Sequence, residues 1–187
     1  MGEAVDVSVW DAYYAGGRWF RPVMDEEKEF LRRSAGLGTG RTALDVGCGT
    51  GGFAEFLHAE GCAVLGVDYS ETAISLAQSK FAAISGLEFR HLDAASDTWE
   101  NLPSYHLIST RLTYAFIDQK AEFLKKVRDH LIPGGVFHVM TPLAANLPES
   151  RSGIGITKDE LEEMICGWSS VEEKELDAQH VAFTLTV

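Results

Sequence analysis

The chain has 187 residues, of which 45% are apolar and 24% charged, and it carries a net charge of −12. That length can bury a sizeable core. The composition is globular rather than disordered, and the negative charge argues against a nucleic-acid backbone as the main partner.

No run approaches the ~18 apolar residues that a membrane span needs. Cys48, Cys62 and Cys166 are scattered, with neither metal spacing nor a disulfide framework. The expectation is free thiols in a cytoplasmic protein, no metal, and Cys62 and Cys166 as small core residues.

The chain begins with neither a basic start nor an apolar stretch before a cleavage site, so a signal peptide is not expected. Gly2 is followed by Asp6 where a myristoylation motif needs Ser or Thr. VWDAYYAGGRW then gathers Trp10, Tyr13, Tyr14 and Trp19, with Gly16-Gly17 as a hinge candidate. These aromatics either pack on the body of the protein or close over a ligand.

A helix is expected over residues 25–35. Asp25, Glu26 and Glu27 suit the positive end of its dipole, and Arg32 and Arg33 its negative end. After a glycine loop, residues 42–46 read as a strand. The next helix has Phe53, Phe56 and Leu57 on one face and Gly61 as its stop. A second strand spans 62–67. Ser70 caps a helix that buries Ile74, Ala77 and Phe81.

Strands follow at 87–91 and 105–110. A helix over 118–131 buries Leu124, Val127 and Leu131, and Pro133-Gly134-Gly135 ends it. A strand at 136–141, a loop over 142–156 and a helix at 158–166 come next. Residues 170–176 and 180–187 read as an antiparallel hairpin. Residues 157–175 hold seven acids against two bases, a face that repels phosphates. Short strands alternating with helices predict a parallel sheet with crossover helices, in one domain over 1–187.

Ligands of such sheets bind at the carboxyl ends of the strands. Asp45, Asp68 and Asp93 stand at three of those ends. Gly47, Gly49 and Gly52 fit the dinucleotide pattern GxGxxG, which is weak by itself. Asp45 changes the reading. A dinucleotide would set its pyrophosphate against the glycine turn and the helix start, where a carboxylate is unfavourable. A ligand bearing an ammonium group would be attracted. Asp68 lies 21 residues beyond Gly47, where an acid can accept hydrogen bonds from ribose hydroxyls. Asp93 could accept one from an adenine amino group. Cys48 is read as a small residue of the turn, with no activating base marked near it.

With LDVGCGTG, VLGVDYS, FRHLDAA and HLIPGGVFHV in place, the chain resembles the class I (Rossmann-like) S-adenosylmethionine (SAM)-dependent methyltransferases over residues 42–187. The resemblance implies an α/β three-layer fold, with a seven-stranded, mostly parallel sheet whose last strand is antiparallel. It implies SAM as cofactor, with Asp45 and the turn of Gly47, Cys48, Gly49, Thr50 and Gly51 at the methionine part. Asp68 would hold the ribose, while Tyr69 packs on the adenine beside Asp93 and Ala94. Tyr14, Thr110 and Arg111 would complete the cofactor site, and residues 1–24 would form a lid over a core of 25–187. Trp10, Tyr13, Arg111 and Tyr114 are acceptor-site candidates.

The sequence departs from many relatives. Tyr105-His106 replaces an acidic start to the fourth strand, and His106 is expected at an edge or in a loop. STRLTYAF stands in place of the Asn/Asp-Pro-Pro-Tyr/Phe tetrapeptide, which lowers the case for an adenine or glutamine acceptor. A small-molecule acceptor is expected, with no catalytic base assigned. Protein methylation, SAM binding without transfer and NAD-dependent oxidoreduction are the competing readings. His138 is expected to be a core histidine, and Lys125, Lys126 and Arg128 a solvated helix face.

Overall fold

The structure is a computed structural model and describes residues 6–17 and 21–187. The expectations for Gly2 and Trp19 lie outside the described residues.

Seven strands form a single sheet in the order β3-β2-β1-β4-β5-β7-β6. They are β1 Thr42–Val46, β2 Ala63–Asp68, β3 Leu87–His91, β4 Tyr105–Arg111, β5 Leu131–Pro142, β6 Ser170–Glu175 and β7 His180–Thr186. The pairs from β3 across to β5 are parallel. β7 runs antiparallel between β5 and β6. This is the expected Rossmann-like sheet. The helices are α1 Val7–Ala15, α2 Asp25–Ser34, α3 Gly52–Ala59, α4 Glu71–Phe81, α5 Lys120–Asp129 and α6 Lys158–Ile165.

Each face of the sheet has its own apolar layer, because side chains alternate along a strand. Leu44, Ile108, Phe137 and Phe183 meet Phe123 and Val127 of α5 and Met164 of α6 on one face. On the other, Ala43, Val64 and Leu107 meet Leu31 of α2, Leu57 of α3 and Ala77 of α4. Ser70 caps α4 as expected, accepting from the Ala73 N–H at 3.1 Å. The outer strand β6 is exposed throughout. Glu172, Glu173, Lys174 and Glu175 place charge along that edge and discourage pairing with another chain.

Residues 7–15 form a helix whose N-terminus is capped by Asp6. The structure corrects several expectations. α5 ends at Asp129, and Leu131 already pairs with Tyr105. Pro133-Gly134-Gly135 loops out before the ladder resumes at Leu107 and Val136. The loop after β5 contains two 3₁₀ turns, Ala144–Asn146 and Glu149–Ile154.

His106 is on central β4, where its Nδ1 accepts from the Thr42 N–H at 3.1 Å. Cys62 is buried, whereas Cys166 is exposed. Lys126 and Arg128 are not a purely solvated face. Lys126 donates to the carbonyls of Ala95 and Asp97 at 2.7 and 2.8 Å, pinning the loop beyond β3. Arg128 lies 4.4 Å over the Trp168 ring and donates to the Cys166 carbonyl.

Glu27 is the largest departure. Its position in the first turn suggests a solvent-facing dipole partner, yet it is fully buried. Arg111 Nε donates to Glu27 Oε1 at 3.0 Å, and Nη2 donates to Oε2 at 3.2 Å. The same guanidinium donates to the carbonyls of Arg21 and Pro22 at 2.8 and 3.0 Å. Burial opposes ionisation of Glu27, but His138 and Arg111 outweigh it and hold the carboxyl below its usual range. His138 is a core residue, as expected. It stacks on Phe53 and meets the Phe183 carbonyl through Nδ1 at 3.1 Å.

Breaking a buried ion pair strands the remaining charge. Glu27→Ala is expected to lower the unfolding free energy by about 3–5 kcal/mol in urea denaturation at pH 7. Glu26→Ala, at an exposed neighbour, should stay within about 0.5 kcal/mol of the parent.

Candidate cofactor and active site

A cavity of about 550 Å³ opens at the carboxyl ends of β1, β2, β3 and β4. In the observed strand order, the crossover direction changes between β1 and β4, which makes this the topological switch point of the sheet.

The glycine turn forms one wall. Gly47 and Cys48 both donate to the Val67 carbonyl, at 2.8 and 3.0 Å, and so bend the chain over the end of β2. Gly47 has φ +72°, and a Cβ there would lie 2.2 Å from Thr113 Oγ1. Gly49 has φ +52°, and its Cβ would lie 2.8 Å from the Tyr14 hydroxyl. Both positions therefore need glycine on conformational and steric grounds. The Cys48 thiol is raised well above its usual value by burial, so it is not an activated nucleophile.

Asp45 is only 1% exposed and lines the cavity. The β1–β4 register sets it opposite Ser109, whose hydroxyl donates to Oδ1 at 2.9 Å. Oδ2 is buried with no hydrogen-bond partner among the described residues. Burial, opposed in part by Ser109 and Arg111, pushes this carboxyl up to about 7. An orphaned carboxylate oxygen facing a cavity suits a cationic group and disfavours a phosphate.

Asp68 is 5% exposed. It accepts from the Gly49 N–H through Oδ2 and from the Ser70 N–H through Oδ1, both at 2.9 Å. Each oxygen keeps a second lone pair for a ligand hydroxyl. Burial raises this carboxyl against those two N–H donors. Tyr69, Asp93 and Ala94 line the adjoining wall. Burial pushes the Tyr69 phenol up to about 12. Asp93 Oδ1 accepts from the Ala95 N–H at 2.9 Å, which holds the loop that Lys126 clamps from behind.

Tyr14 comes from α1, is buried, and lies against Gly49. Trp10 also lines the cavity and packs edge-on to Phe116 with ring centroids 5.1 Å apart. Thr50 is at the lip of the turn.

Other expected site residues are elsewhere. Gly51 is the buried N-cap of α3, and Thr110 is buried within β4; neither is on the cavity wall. Tyr114 is in the core against Phe123 and Phe137. Tyr13 contacts the rings of Trp10 and Tyr14 without lining the cavity. Arg111 does reach the cavity, but its donors are engaged by Glu27 and the two carbonyls. In the ligand-free structure it therefore acts as a clamp on the segment before α2. The cavity wall also includes Val23, Leu112, Phe116 and Ile117. These residues carry no motif, although Leu112 has an unusual φ of +58°.

The raised Asp45 carboxyl has a consequence for the ligand-free protein. The unfolded chain ionises near the ordinary ~3.9. The associated stability is fully present below that pH and is lost as pH rises through about 7. In the absence of ligand, Asp45→Asn should therefore melt a few degrees above the parent at pH 8, with the difference shrinking by pH 5. Thermal scans across that range check the sign.

The Methyltransferase domain family matches residues 44–137, half of the chain. The ubiquinone biosynthesis O-methyltransferase of Acinetobacter baylyi is 26% identical over 153 residues, which are 79% of this chain and 62% of the relative. A malonyl-[acyl-carrier protein] O-methyltransferase of Enterobacter lignolyticus is 25% identical over 162 residues, 82% of this chain and 57% of the relative. The chain thus spans about three-fifths of the length of these curated relatives.

A solved structure from work on conversion of a disulfide bond into a thioacetal group during echinomycin biosynthesis is 26% identical. It superposes with a TM-score of 0.69 over 97% of this chain and 92% of the other. A SAM-dependent methyltransferase from Aquifex aeolicus shares the fold, with a TM-score of 0.72, 17% identity and coverage of 97% and 98%. The glycine turn, the strand-end acids and the antiparallel β7 all fall within one pattern: the chain belongs to the methyltransferase-domain family, the class I SAM-dependent methyltransferases.

Proposed function

We propose that the protein transfers the sulfonium methyl of SAM, by in-line displacement, to a nucleophilic atom of a small-molecule acceptor. The observation that carries this reading is the buried, unpartnered Oδ2 of Asp45 on the cavity wall. It suits the α-ammonium of SAM and repels the pyrophosphate of a dinucleotide. Asp45 and the turn around Gly47 and Gly49 hold the amino-acid end. Asp68 takes the ribose hydroxyls, and Tyr69, Asp93 and Ala94 face the adenine.

When bound, the cofactor supplies an electrophilic methyl group. The chain contributes alignment and exclusion of water. Trp10 and Tyr14 cover the site from α1, while Val23, Phe116 and Ile117 offer apolar surface to an acceptor. Holding both reactants in line can supply ~7–11 kcal/mol of the barrier, so no general base is assigned. Two curated relatives are named O-methyltransferases, which makes hydroxyl compounds the first acceptors to test. Buried Cys48 and Cys62, both free thiols, support a reducing, cytoplasmic setting. The negative charge favours a small acceptor over nucleic acid.

Calorimetry with SAM, S-adenosylhomocysteine and NADH, followed by methyl transfer from labelled SAM to a panel of phenols, amines and thiols, tests the proposal. Preference for NADH, or tight SAM binding with no transfer to any acceptor, would overturn it. Asp68→Ala should weaken SAM binding by ~2–4 kcal/mol through loss of charged hydrogen-bond acceptors.

Only the ionised form of Asp45 attracts the ammonium. SAM affinity should therefore fall about tenfold per pH unit below the Asp45 transition near 7. Adenosine, which lacks the ammonium, should show a flat profile, and Asp45→Asn should abolish the difference between the two ligands.

A further inference from the structure

α1 precedes the first strand by a long stretch of chain, yet one of its side chains reaches the ribose end of the cavity. Asp11 Oδ1 accepts from the Ser70 hydroxyl, and from the Thr72 N–H at 3.3 Å. Ser70 is fully buried, and three of its bonds meet at this place. Its N–H donates to Asp68 Oδ1 at 2.9 Å, its oxygen accepts from the Ala73 N–H at 3.1 Å, and its hydroxyl proton goes to Asp11. A hydroxyl has a single proton, so the bond to Asp11 uses its whole donor capacity. One turn beyond Asp11, Tyr14 lies on Gly49; one residue before it, Trp10 packs on Phe116. Asp11 thus holds down one side of a helix that crosses the cavity.

We infer that Asp11 is a positioning residue: through Ser70 it latches α1 over the nucleoside end of the cavity and so sets how long a bound cofactor stays. The inference rests on the SAM reading above. The latch bond is charge-assisted, and the N-terminus of α4 favours an anion at that place. Asp68 and Asp11 are two carboxylates converging on one serine, and the charge of Asp11 disfavours that of Asp68. Ribose hydroxyls donating to Asp68 would spread its charge and ease that repulsion. Cofactor then tightens the latch, and by linkage the latch tightens the cofactor to the same degree.

The test uses the full-length chain and S-adenosylhomocysteine as the probe. Release is followed by stopped-flow fluorescence, alongside amide hydrogen exchange of residues 7–15 and the ligand-free melting temperature. Asp11→Ala should speed release about tenfold and raise KM for SAM by a similar factor. Turnover at saturating SAM should stay within about threefold, and the ligand-free melting temperature within about 2 °C. The probe should slow exchange across α1 in the parent but not in this variant. Asp11→Asn keeps an oxygen acceptor and should recover most of the retention.

Release from Asp11→Ala within twofold of the parent would overturn the latch while leaving the cofactor reading intact. So would Asn and Ala variants that are equally impaired and melt well below the parent, since that pattern assigns Asp11 to fold stability. A parent protein that does not bind the probe would remove the cofactor reading, and the latch with it.

Discussion

Asp45 holds a carboxylate at the centre of the sheet with one oxygen bonded to Ser109 and the other unmet. Burying a charge without a partner is unfavourable, and folding alone gives no reason for this arrangement. The side chain would be better served by a neutral residue unless something cationic enters the cavity. The rest of the site is consistent with that demand. The glycine turn leaves the backbone bare on one side of Asp45, and the strand order opens a crevice beside it. Asp68 then adds a second buried acid whose oxygens are only half occupied by N–H donors.

The second constraint is the buried pair of Glu27 and Arg111. It joins three parts of the chain that are distant in sequence: the start of α2, the end of β4, and the carbonyls of Arg21 and Pro22. Arg21 and Pro22, just ahead of α2, are therefore tied to the mouth of the cavity. Arg21 is itself paired with Asp177, next to the β6–β7 turn. The Asp11–Ser70 contact separately ties α1 to the start of α4. Placement of the cavity walls thus depends on bonds made outside the glycine and strand-end motifs. Lys126 does the equivalent for the loop bearing Asp93 and Ala94.

Much of the fold was legible because its signals are local. Strand-forming runs, the cap at Ser70, and the apolar stripe of Ile74, Ala77 and Phe81 each depend on neighbours within a few residues. The strand-end acids and glycines were legible as well, since the turn imposes its spacing on a short stretch of chain. The errors share a different origin. Leu131 fits the apolar face of a helix as well as it fits a strand, and only pairing with Tyr105 decides between them. Glu27 looks solvent-facing in sequence, and Arg111 looks like a ligand contact, because charges pair in the interior only when a partner from elsewhere meets them. Tyr114 has the chemistry of a site residue, but the 3₁₀ turn after β4 directs it into the core.

The sequence by itself determined the class of sheet, the glycine turn and the three acids, because periodicity, capping and backbone freedom are short-range properties. Tertiary structure alone decided which of those acids is orphaned, which arginine is neutralised and where α1 lies. Burial and charge pairing depend on residues brought together across the fold, and no local pattern records them.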